Sequence, residues 1–324
     1  MVWIPGGTYT RGNDRNLGTT ATYPEEQPAH KVTVDGFWLD ATEVTNRQFM
    51  KFADETGYKT QAETGWSKED FPKAPPDQLK PGCLVFSAPE GQVDLWQPGS
   101  EWSWWRFVEG AGWRHPTGPG SSIEDKMDHP VVCVTKEDAE AYCKWAGRRL
   151  PTEAEWERAA RGGLEDAVFT WGDDPVPDGK WLANIFQGEF PHNDTALDGF
   201  AGTSPVKSFP PNGYGLYDMA GNVWEICSDL YRPDYYRSFA RDPQPNPTGP
   251  TLPVDEPRVR AFQQSGEYPE MMDPPHPLSY LWVSKGGSHL CHHSYCLRYR
   301  PAARHYAESL SPTNHAGFRT AKSP

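Results

Sequence analysis

The sequence lacks long apolar runs, a secretory signal and the dense cysteines of a disulfide-stabilised scaffold. No stretch approaches the roughly 18 consecutive apolar residues that a membrane-spanning helix needs. The opening Met-Val-Trp-Ile-Pro-Gly-Gly has neither the basic nor the apolar region of a signal peptide. Six cysteines in 324 residues are too few to hold a scaffold together by disulfides. We therefore expect a cytoplasmic protein that does not enter a membrane.

The sequence also lacks an excess of positive charge. It has 31 Lys and Arg residues against 44 Asp and Glu, which gives a net charge of −13. Non-specific nucleic-acid binding depends on cations that neutralise phosphates, so we expect no nucleic-acid partner. The acidic balance would instead attract a basic partner.

Internal repeats and low-complexity tracts are absent too, which argues against solenoids and propellers. The 30 glycines and 33 prolines follow no period and argue against collagen and against a helical bundle. Trp, Tyr and Phe occur 14 times each, as expected of a globular protein. We predict one α+β domain over 1–324 with little regular secondary structure and two insertions, at about 64–112 and 231–281. The second insertion holds 11 of the prolines.

Three helices are predicted from their capping sequences. Each begins at a threonine followed three residues later by a side chain that can return its hydrogen bond: Thr45 with Gln48, Thr135 with Asp138, and Thr152 with Glu155. Gly57 and Gly162 should end the first and third helices. Short strands are expected around 2–11, 31–39, 283–286 and 317–321, and the first and last of these could pair.

Cys291 and Cys296 are the one pair of cysteines that are close in sequence. On a straight strand they would face opposite sides about 16 Å apart, whereas a turn between them would bring the thiols together. They could then form a disulfide, a soft-metal site, or a nucleophile with its resolving partner. Two thiolates alone suit Cu(I), and His292 or His293 would complete a zinc set. Two unconnected buried cysteines are the alternative, but the surrounding His, Arg and Tyr residues are not the apolar setting that an inert thiol prefers.

Two groups of oxygen donors lie in irregular chain, and both suit Ca²⁺, which takes six to eight oxygens in loose geometry. The groups are Asn184-Ile185 with Asp198-Gly199-Phe200, and Asp218 with Asn222 and Glu225. From the residues alone, the preferred interpretation is a turn in which Asn and Asp side chains bond to their own backbone.

Several motifs resemble the formylglycine-generating, or sulfatase-modifying, family, from about residue 2 to 322. They are Ile4-Pro5-Gly6-Gly7-Thr8, Glu43-Val44-Thr45-Asn46, Trp113-Arg114-His115-Pro116, Arg149-Leu150-Pro151-Thr152-Glu153-Ala154-Glu155-Trp156-Glu157, Asn212-Gly213-Tyr214-Gly215-Leu216-Tyr217 and Gly317-Phe318-Arg319. The run from Arg149 marks the wider superfamily, which includes non-catalytic relatives. Ser288-x-x-Cys291-x-x-x-x-Cys296 is the more specific signal.

The resemblance implies a variant C-type-lectin-like fold and a copper-dependent oxidase. Such enzymes convert the cysteine of a Cys-x-Pro-x-Arg segment, in an unfolded sulfatase, to Cα-formylglycine with O₂ and a thiol reductant. By the family pattern, Cys291 and Cys296 bind Cu(I), and Ser288, Tyr295 and Trp224 line the catalytic pocket.

The same resemblance strengthens the calcium interpretation. It implies one Ca²⁺ site at Asn184, Ile185, Asp198 and Phe200, and a second at Asp218, Gly221, Val223 and Glu225. The structural disulfides of secreted relatives are not expected here. Cys143 lacks its partner cysteine, because Thr320 occupies that position in this sequence. Ala160 and Pro301 occupy the positions of the second pair. This is typical of a cytoplasmic bacterial member.

Two other functions are considered. A non-catalytic module binding a peptide or glycan on the same fold would have no use for the paired cysteines. A non-haem iron sulfoxide synthase would carry an additional helical domain with a His-x-x-x-His-x-Glu string, and the sequence contains no such string.

Overall fold

A computed structural model describes residues 1–17, 23–69, 75–239, 243–251 and 281–324. Within these ranges the α-helices are few and short: α1 Asn46–Thr56, α2 Gln61–Thr64, α3 Lys136–Trp145 and α4 Glu153–Arg161. None of the helices in these ranges is long and apolar enough to cross a bilayer. Most of the described chain is turn and irregular structure, which confirms the predicted α+β class.

The three predicted helices begin where their caps place them. In α1 the Thr45 amide donates to Gln48 Oε1 at 2.9 Å, and the Gln48 amide donates back to Thr45 Oγ1 at 3.3 Å. The same reciprocal pattern begins α3 and α4. Gly57 and Gly162 end their helices in the left-handed conformation, as glycine readily does. The short helix α2 was not predicted, although Thr60 and Glu63 carry the same signal.

Fourteen short strands form five small sheets among the described residues. Their bounds are β1 Val2–Ile4, β2 Gly7–Arg11, β3 His30–Val34, β4 Phe37–Leu39, β5 Gly82–Phe86, β6 Trp105–Glu109, β7 Gly188–Glu189, β8 Asn193–Asp194, β9 Trp224–Leu230, β10 Gln244–Pro245, β11 Leu281–Lys285, β12 His305–Glu308, β13 Ala316–Gly317 and β14 Ala321–Lys322. The sheet orders are β1-β4-β14, β10-β3-β2, β12-β11-β9-β13, β5-β6 and β7-β8. Of these pairs, β10 with β3 and β13 with β9 are parallel.

The first two predicted strands are each interrupted by two residues that leave the sheet, although the pairing continues in the same register on both sides of the breaks. The expected strand 2–11 divides at Pro5-Gly6, and 31–39 divides at Asp35-Gly36. The two breaks lie against each other, because a Cβ added to Gly6 would lie 2.7 Å from the Gly36 amide nitrogen. The pairing considered for the terminal strands was wrong. Both β1 and β14 pair with β4, which lies between them.

The four-stranded sheet positions the cysteine turn. Antiparallel pairing of β11 with β9 places Lys285 opposite Glu225. The end of β11 therefore lies beside the start of β9, where Trp224 stands. The chain leaves β11 through Gly286 directly into the segment that carries Cys291 and Cys296. One end of this sheet thus places Trp224 and Glu225 beside the segment that carries Cys291 and Cys296.

The hairpin β5–β6 lies within the predicted insertion 64–112 and is attached to the rest of the molecule. The Leu84 amide donates to the Pro312 carbonyl at 3.0 Å, and the Asn314 amide donates to the Leu84 carbonyl at 3.0 Å. Cys83 is joined to Cys133 as a buried disulfide with Cα atoms 5.9 Å apart. No short-range pattern predicts this bond, because 50 residues separate the two cysteines.

Of the predicted insertion 231–281, residues 240–242 and 252–280 lie outside the described residues. The described parts pack on the N-terminal strands. Tyr236 is buried and donates to Glu153 Oε1 at 3.1 Å, and Asn246 Nδ2 donates to Asp35 Oδ2 at 2.9 Å. These contacts attach the described parts of this segment to the rest of the domain.

Replacing both Cys83 and Cys133 with Ser should destabilise the protein. Without the bond, the 50-residue loop gains conformational entropy in the unfolded state. The free energy of unfolding should therefore fall by about 4 kcal/mol. Urea unfolding with and without a strong reductant measures the effect. The reductant should lower the midpoint of the parent protein by more than that of the variant. Equal midpoints for parent and variant without reductant would contradict the prediction.

Candidate active site

The turn between β11 and the second site cysteine is closed by backbone hydrogen bonds. The Cys291 amide donates to the Ser288 carbonyl at 2.9 Å, and the Cys296 amide donates to the His292 carbonyl at 2.7 Å. The Cα atoms of Cys291 and Cys296 lie 4.8 Å apart, and the two residues are joined as a disulfide. The predicted turn is confirmed, and the interpretation as two unconnected cysteines is wrong.

Glycine is required where the chain enters this turn. Gly286 and Gly287 have φ values of 87° and 69°. A Cβ at Gly286 would lie 3.0 Å from the Trp156 ring, and one at Gly287 would lie 3.0 Å from the Tyr299 backbone nitrogen. Both the backbone conformation and the space therefore exclude a larger residue.

The other predicted pocket residues lie around the pair. Trp224 belongs to the same buried cluster as Cys291 and Cys296, and Tyr295 packs at its edge. Ser288 is fully buried, and its Oγ accepts a hydrogen bond from the Leu290 amide at 3.2 Å. Through this bond, Ser288 helps to hold the backbone conformation of the turn.

An aromatic wall borders the turn, and sequence reasoning missed it. We define the aromatic wall as Trp104, Phe190 and Tyr295. Phe190 stacks on Tyr295 with ring centres 5.0 Å apart, and Trp104 meets Tyr295 edge-on at 5.8 Å. Trp104 comes from the segment 64–112 and Phe190 from the loop between β7 and β8. Only the fold brings these distant segments together.

Three buried histidines near the turn carry no positive charge at neutral pH. Burial lowers the pKa of His289 and of His292 to about 4, and lowers the pKa of His315 well below its usual value. His289 Nδ1 lies 2.9 Å from the Asn222 carbonyl oxygen, which can only accept, so this nitrogen carries the proton. These three rings therefore add no positive charge to the aromatic surroundings of the turn.

The residues present fit a Cu(I) ion. Once the pair is reduced, two soft sulfur donors stand close enough to share one ion, and the described residues that pack with them in one cluster are apolar or aromatic. In the described part of the chain, no three Cys, His, Asp or Glu side chains converge in a metal-binding arrangement. A two-thiolate site is the kind of metal site that this pocket can form.

One oxygen of the first predicted calcium group has no hydrogen-bond donor among the described residues. Asn184 Oδ1 is buried, and no donor in the described residues reaches it. Asp198 Oδ2 accepts from the Ile185 amide at 3.0 Å, and Asp198 Oδ1 accepts from the Phe200 amide at 2.9 Å. The side-chain-to-backbone turn is thus present, but it leaves the Asn184 oxygen available to a cation.

The second predicted group contains more negative than positive charge. Glu225 accepts from Arg319 through both carboxylate oxygens, at 2.6 and 2.7 Å, and from Trp156 Nε1 at 2.7 Å. Burial raises the pKa of Asp218 to about 6. Glu225 is therefore already occupied by a protein cation, which makes it a weaker candidate ligand than the resemblance implies.

Glu43 was not predicted as a site residue and is the additional carboxylate in this group. Its Oε1 accepts from Asn222 Nδ2 at 3.0 Å, while its Oε2 is buried without a donor in the described chain. Burial, then the charge of Asp218, raises the pKa of Glu43 well above its usual range. A cation between Glu43 and Asp218 would balance this charge. Glu43 lies within a motif quoted for the family, and that was its one signal in the sequence.

Comparisons with known proteins identify the family of this chain. The family model of the sulfatase-modifying factor enzyme 1-like domain matches residues 1–324, and the chain belongs to this family. A formylglycine-generating enzyme of Mycobacterium tuberculosis is 43% identical over 325 residues, covering 100% of this chain and 98% of that protein. An inactive C-alpha-formylglycine-generating enzyme 2 of Mus musculus is 46% identical over 237 residues, covering 72% of this chain and 70% of that protein.

The fold itself is also found in a solved structure. PvdO from Pseudomonas aeruginosa superimposes with a TM-score of 0.62 at 21% identity, covering 99% of this chain and 93% of that one. Its identity is too low to transfer an activity, and it confirms the fold alone. The fold predicted from the resemblance is confirmed.

Calcium should stabilise the protein if the Asn184 oxygen is a ligand. A ligand that binds only the native state at a hundredfold excess over its Kd raises the free energy of unfolding by about 2.7 kcal/mol. Chelation should therefore lower the melting temperature, and added Ca²⁺ should restore it. Asp198→Asn should reduce this response.

The exposed Asp178 provides the matched control, and Asp178→Asn should respond to calcium as the parent does. Differential scanning fluorimetry with metal analysis of the dialysed protein makes the comparison. If the parent protein is free of metal after chelation and its melting temperature is unchanged, Asp198 and its neighbours form only a turn.

Proposed function

We propose that this protein oxidises a cysteine in sulfatase-type proteins to Cα-formylglycine, with Cu(I), O₂ and a thiol reductant. The observation that carries the proposal is the buried turn that brings Cys291 and Cys296 together in a chain of this family. The relatives named formylglycine-generating enzyme support the overall conversion. The Cys-x-Pro-x-Arg segment, the copper and the oxidant are parts of the proposal.

The overall reaction balances with a two-electron reductant. A cysteine side chain, R–CH₂–SH, reacts with O₂, two electrons and two protons to give R–CHO, H₂S and water. The C–S bond and one C–H bond of the substrate break, the carbon is oxidised and O₂ is reduced. Bound copper would supply the one-electron chemistry that lets O₂ react with the substrate carbon.

The residues of this chain would prepare the pocket for that chemistry. Cys291 and Cys296 would hold the metal at the end of the sheet, and the aromatic wall would exclude water from one side. The neutral His289 and His315 would place no competing cation near a substrate thiolate. His289 would hold its proton on Nδ1, against the Asn222 carbonyl.

The second candidate is a binding module that performs no chemistry. The relative named inactive supports it, because its 46% identity is no lower than that of the relative named as an enzyme. Overall identity does not separate the two functions. The closed cysteine turn favours the enzyme, since a module that only binds a peptide needs no reducible pair inside its pocket.

We also propose the cytoplasm as the location of this protein. The buried Cys83–Cys133 bond is the observation that opposes this proposal, because disulfides persist mainly in oxidising compartments. Thiol labelling of the protein in cells, before lysis, should find Cys83 and Cys133 reduced if the cytoplasmic proposal is correct.

Cys291→Ser and Cys296→Ser should each abolish turnover and Cu(I) binding while the protein stays folded. A hydroxyl is a hard ligand that does not replace a thiolate toward Cu(I). Mass spectrometry of a Cys-x-Pro-x-Arg peptide, incubated with copper-loaded enzyme and reductant, measures the exchange of S and two H for one O. A competition assay with a Cu(I) chelator measures binding separately.

Cys143→Ser is the matched control, because Cys143 is a free buried cysteine in a different apolar cluster. It should retain copper binding and turnover. Near-normal rates in both active-site variants would exclude the two-thiolate mechanism. Failure of the copper-loaded parent to convert any such peptide would favour the binding module.

A further inference from the structure

Trp96 is an exposed tryptophan beside the candidate active site. Its side chain is 66% exposed, yet its ring centre lies 6.2 Å from that of Tyr295. Tyr295 precedes Cys296 in the chain and is part of the aromatic wall. Trp96 thus extends this wall from the buried interior to the protein surface.

The backbone around Trp96 is fixed by its own hydrogen bonds. Asp94 Oδ1 accepts from the Trp96 amide at 3.1 Å, and the Gln97 amide donates to the Asp94 carbonyl at 3.2 Å. Ser100 Oγ donates to the Leu95 carbonyl at 3.2 Å. The indole is therefore presented to solvent from a formed turn, and little ordering entropy remains to be lost when a ligand contacts it.

The loop that carries Trp96 is acidic. Residues 87–104 connect β5 to β6 and contain Glu90, Asp94 and Glu101 without any Lys, Arg or His. Glu90 and Asp94 are exposed. An exposed indole face attracts a cation through its ring electrons, and neighbouring carboxylates strengthen that attraction. A basic side chain matches this surface better than an apolar side chain does, because an apolar side chain would bring no positive charge to the carboxylates.

We propose that Trp96 docks a basic side chain of the peptide segment that carries the target cysteine, by stacking under its guanidinium or ammonium group. The inference rests on the proposed function, since it names how that site recognises its substrate. Trp96 is a binding residue for the substrate chain and takes no part in the chemical step. Its contact is the same before and during the reaction, so it should affect KM and leave kcat unchanged.

Trp102 provides the matched control. It is 54% exposed and lies in the same loop, and the described residues include no ring contact between it and Tyr295. Replacing either tryptophan removes an exposed side chain, so neither variant should unfold. Melting curves of Trp96→Ala and Trp102→Ala should match that of the parent.

The test uses the copper-loaded protein and fluorescently labelled peptides with Ser in place of the target cysteine, which bind without reacting. One peptide has an arginine, and its partner has norleucine at that position. Fluorescence anisotropy should show Trp96→Ala binding the arginine peptide about three- to tenfold more weakly than the parent. The effect should be small with norleucine, intermediate for Trp96→Phe, and absent for Trp102→Ala.

Turnover of the corresponding cysteine peptides separates the possible failures. KM should rise with kcat unchanged for Trp96→Ala. If the parent converts the peptides and Trp96→Ala keeps the parental Kd and KM, this inference is overturned and the proposed function stands. Equal weakening for arginine and norleucine would overturn the basic side chain as the occupant. If the parent converts no peptide, the proposed function fails and this inference fails with it.

Discussion

Two buried carboxylates on one face of α4 hold the strands of this protein together. Glu153 bonds to Arg11 on β2 and to Arg304, and Glu157 accepts from Lys285 at the end of β11 at 3.2 Å. Burial alone would raise the pKa of Glu153, but Arg11, Arg304 and Lys285 outweigh it and lower that pKa to about 2. Because the charges are buried and mutually paired, removing one partner would leave another uncompensated, at a cost of about 3–5 kcal/mol. Regular secondary structure is sparse, and these ion pairs fix positions that longer strands would otherwise fix.

The same helix positions the end of the sheet that leads into the cysteine turn. Lys285, which pairs with Glu157, is the last residue of β11 before the glycines that lead into the cysteine turn. Trp156 lies between the two glutamates, packs against Gly286 and donates to Glu225. Glu225 in turn bonds to Arg319 near the C-terminus. The motif that contains Trp156 and Glu157 therefore supports the site mechanically, whereas the proposed chemistry depends on the cysteines.

The local features of the fold could be predicted from sequence, and the long-range ones could not. Capping boxes act within four residues, so Thr45, Thr135 and Thr152 identified their helices. Cys291 and Cys296 are close enough in sequence for a turn to be inferred. The aromatic wall, the unsatisfied Glu43 oxygen and the Cys83–Cys133 bond each join segments far apart in the chain, and no short-range pattern encodes such contacts. Two predicted strands were also divided, at Pro5-Gly6 and at Asp35-Gly36, because proline has no amide hydrogen for the ladder and glycine weakens a strand interior.

The two disulfides differ in how their reduction is coupled to folding. Cys83–Cys133 closes a loop of 50 residues, whereas Cys291–Cys296 closes one of five. The entropy released on opening a loop grows with its length, so the short loop contributes much less to the stability of the folded chain. A pair embedded in a closed, hydrogen-bonded turn can accept and lose electrons while the surrounding sheet stays folded. Reduction of Cys291–Cys296 to the dithiol that would bind Cu(I) therefore costs the fold less than reduction of Cys83–Cys133.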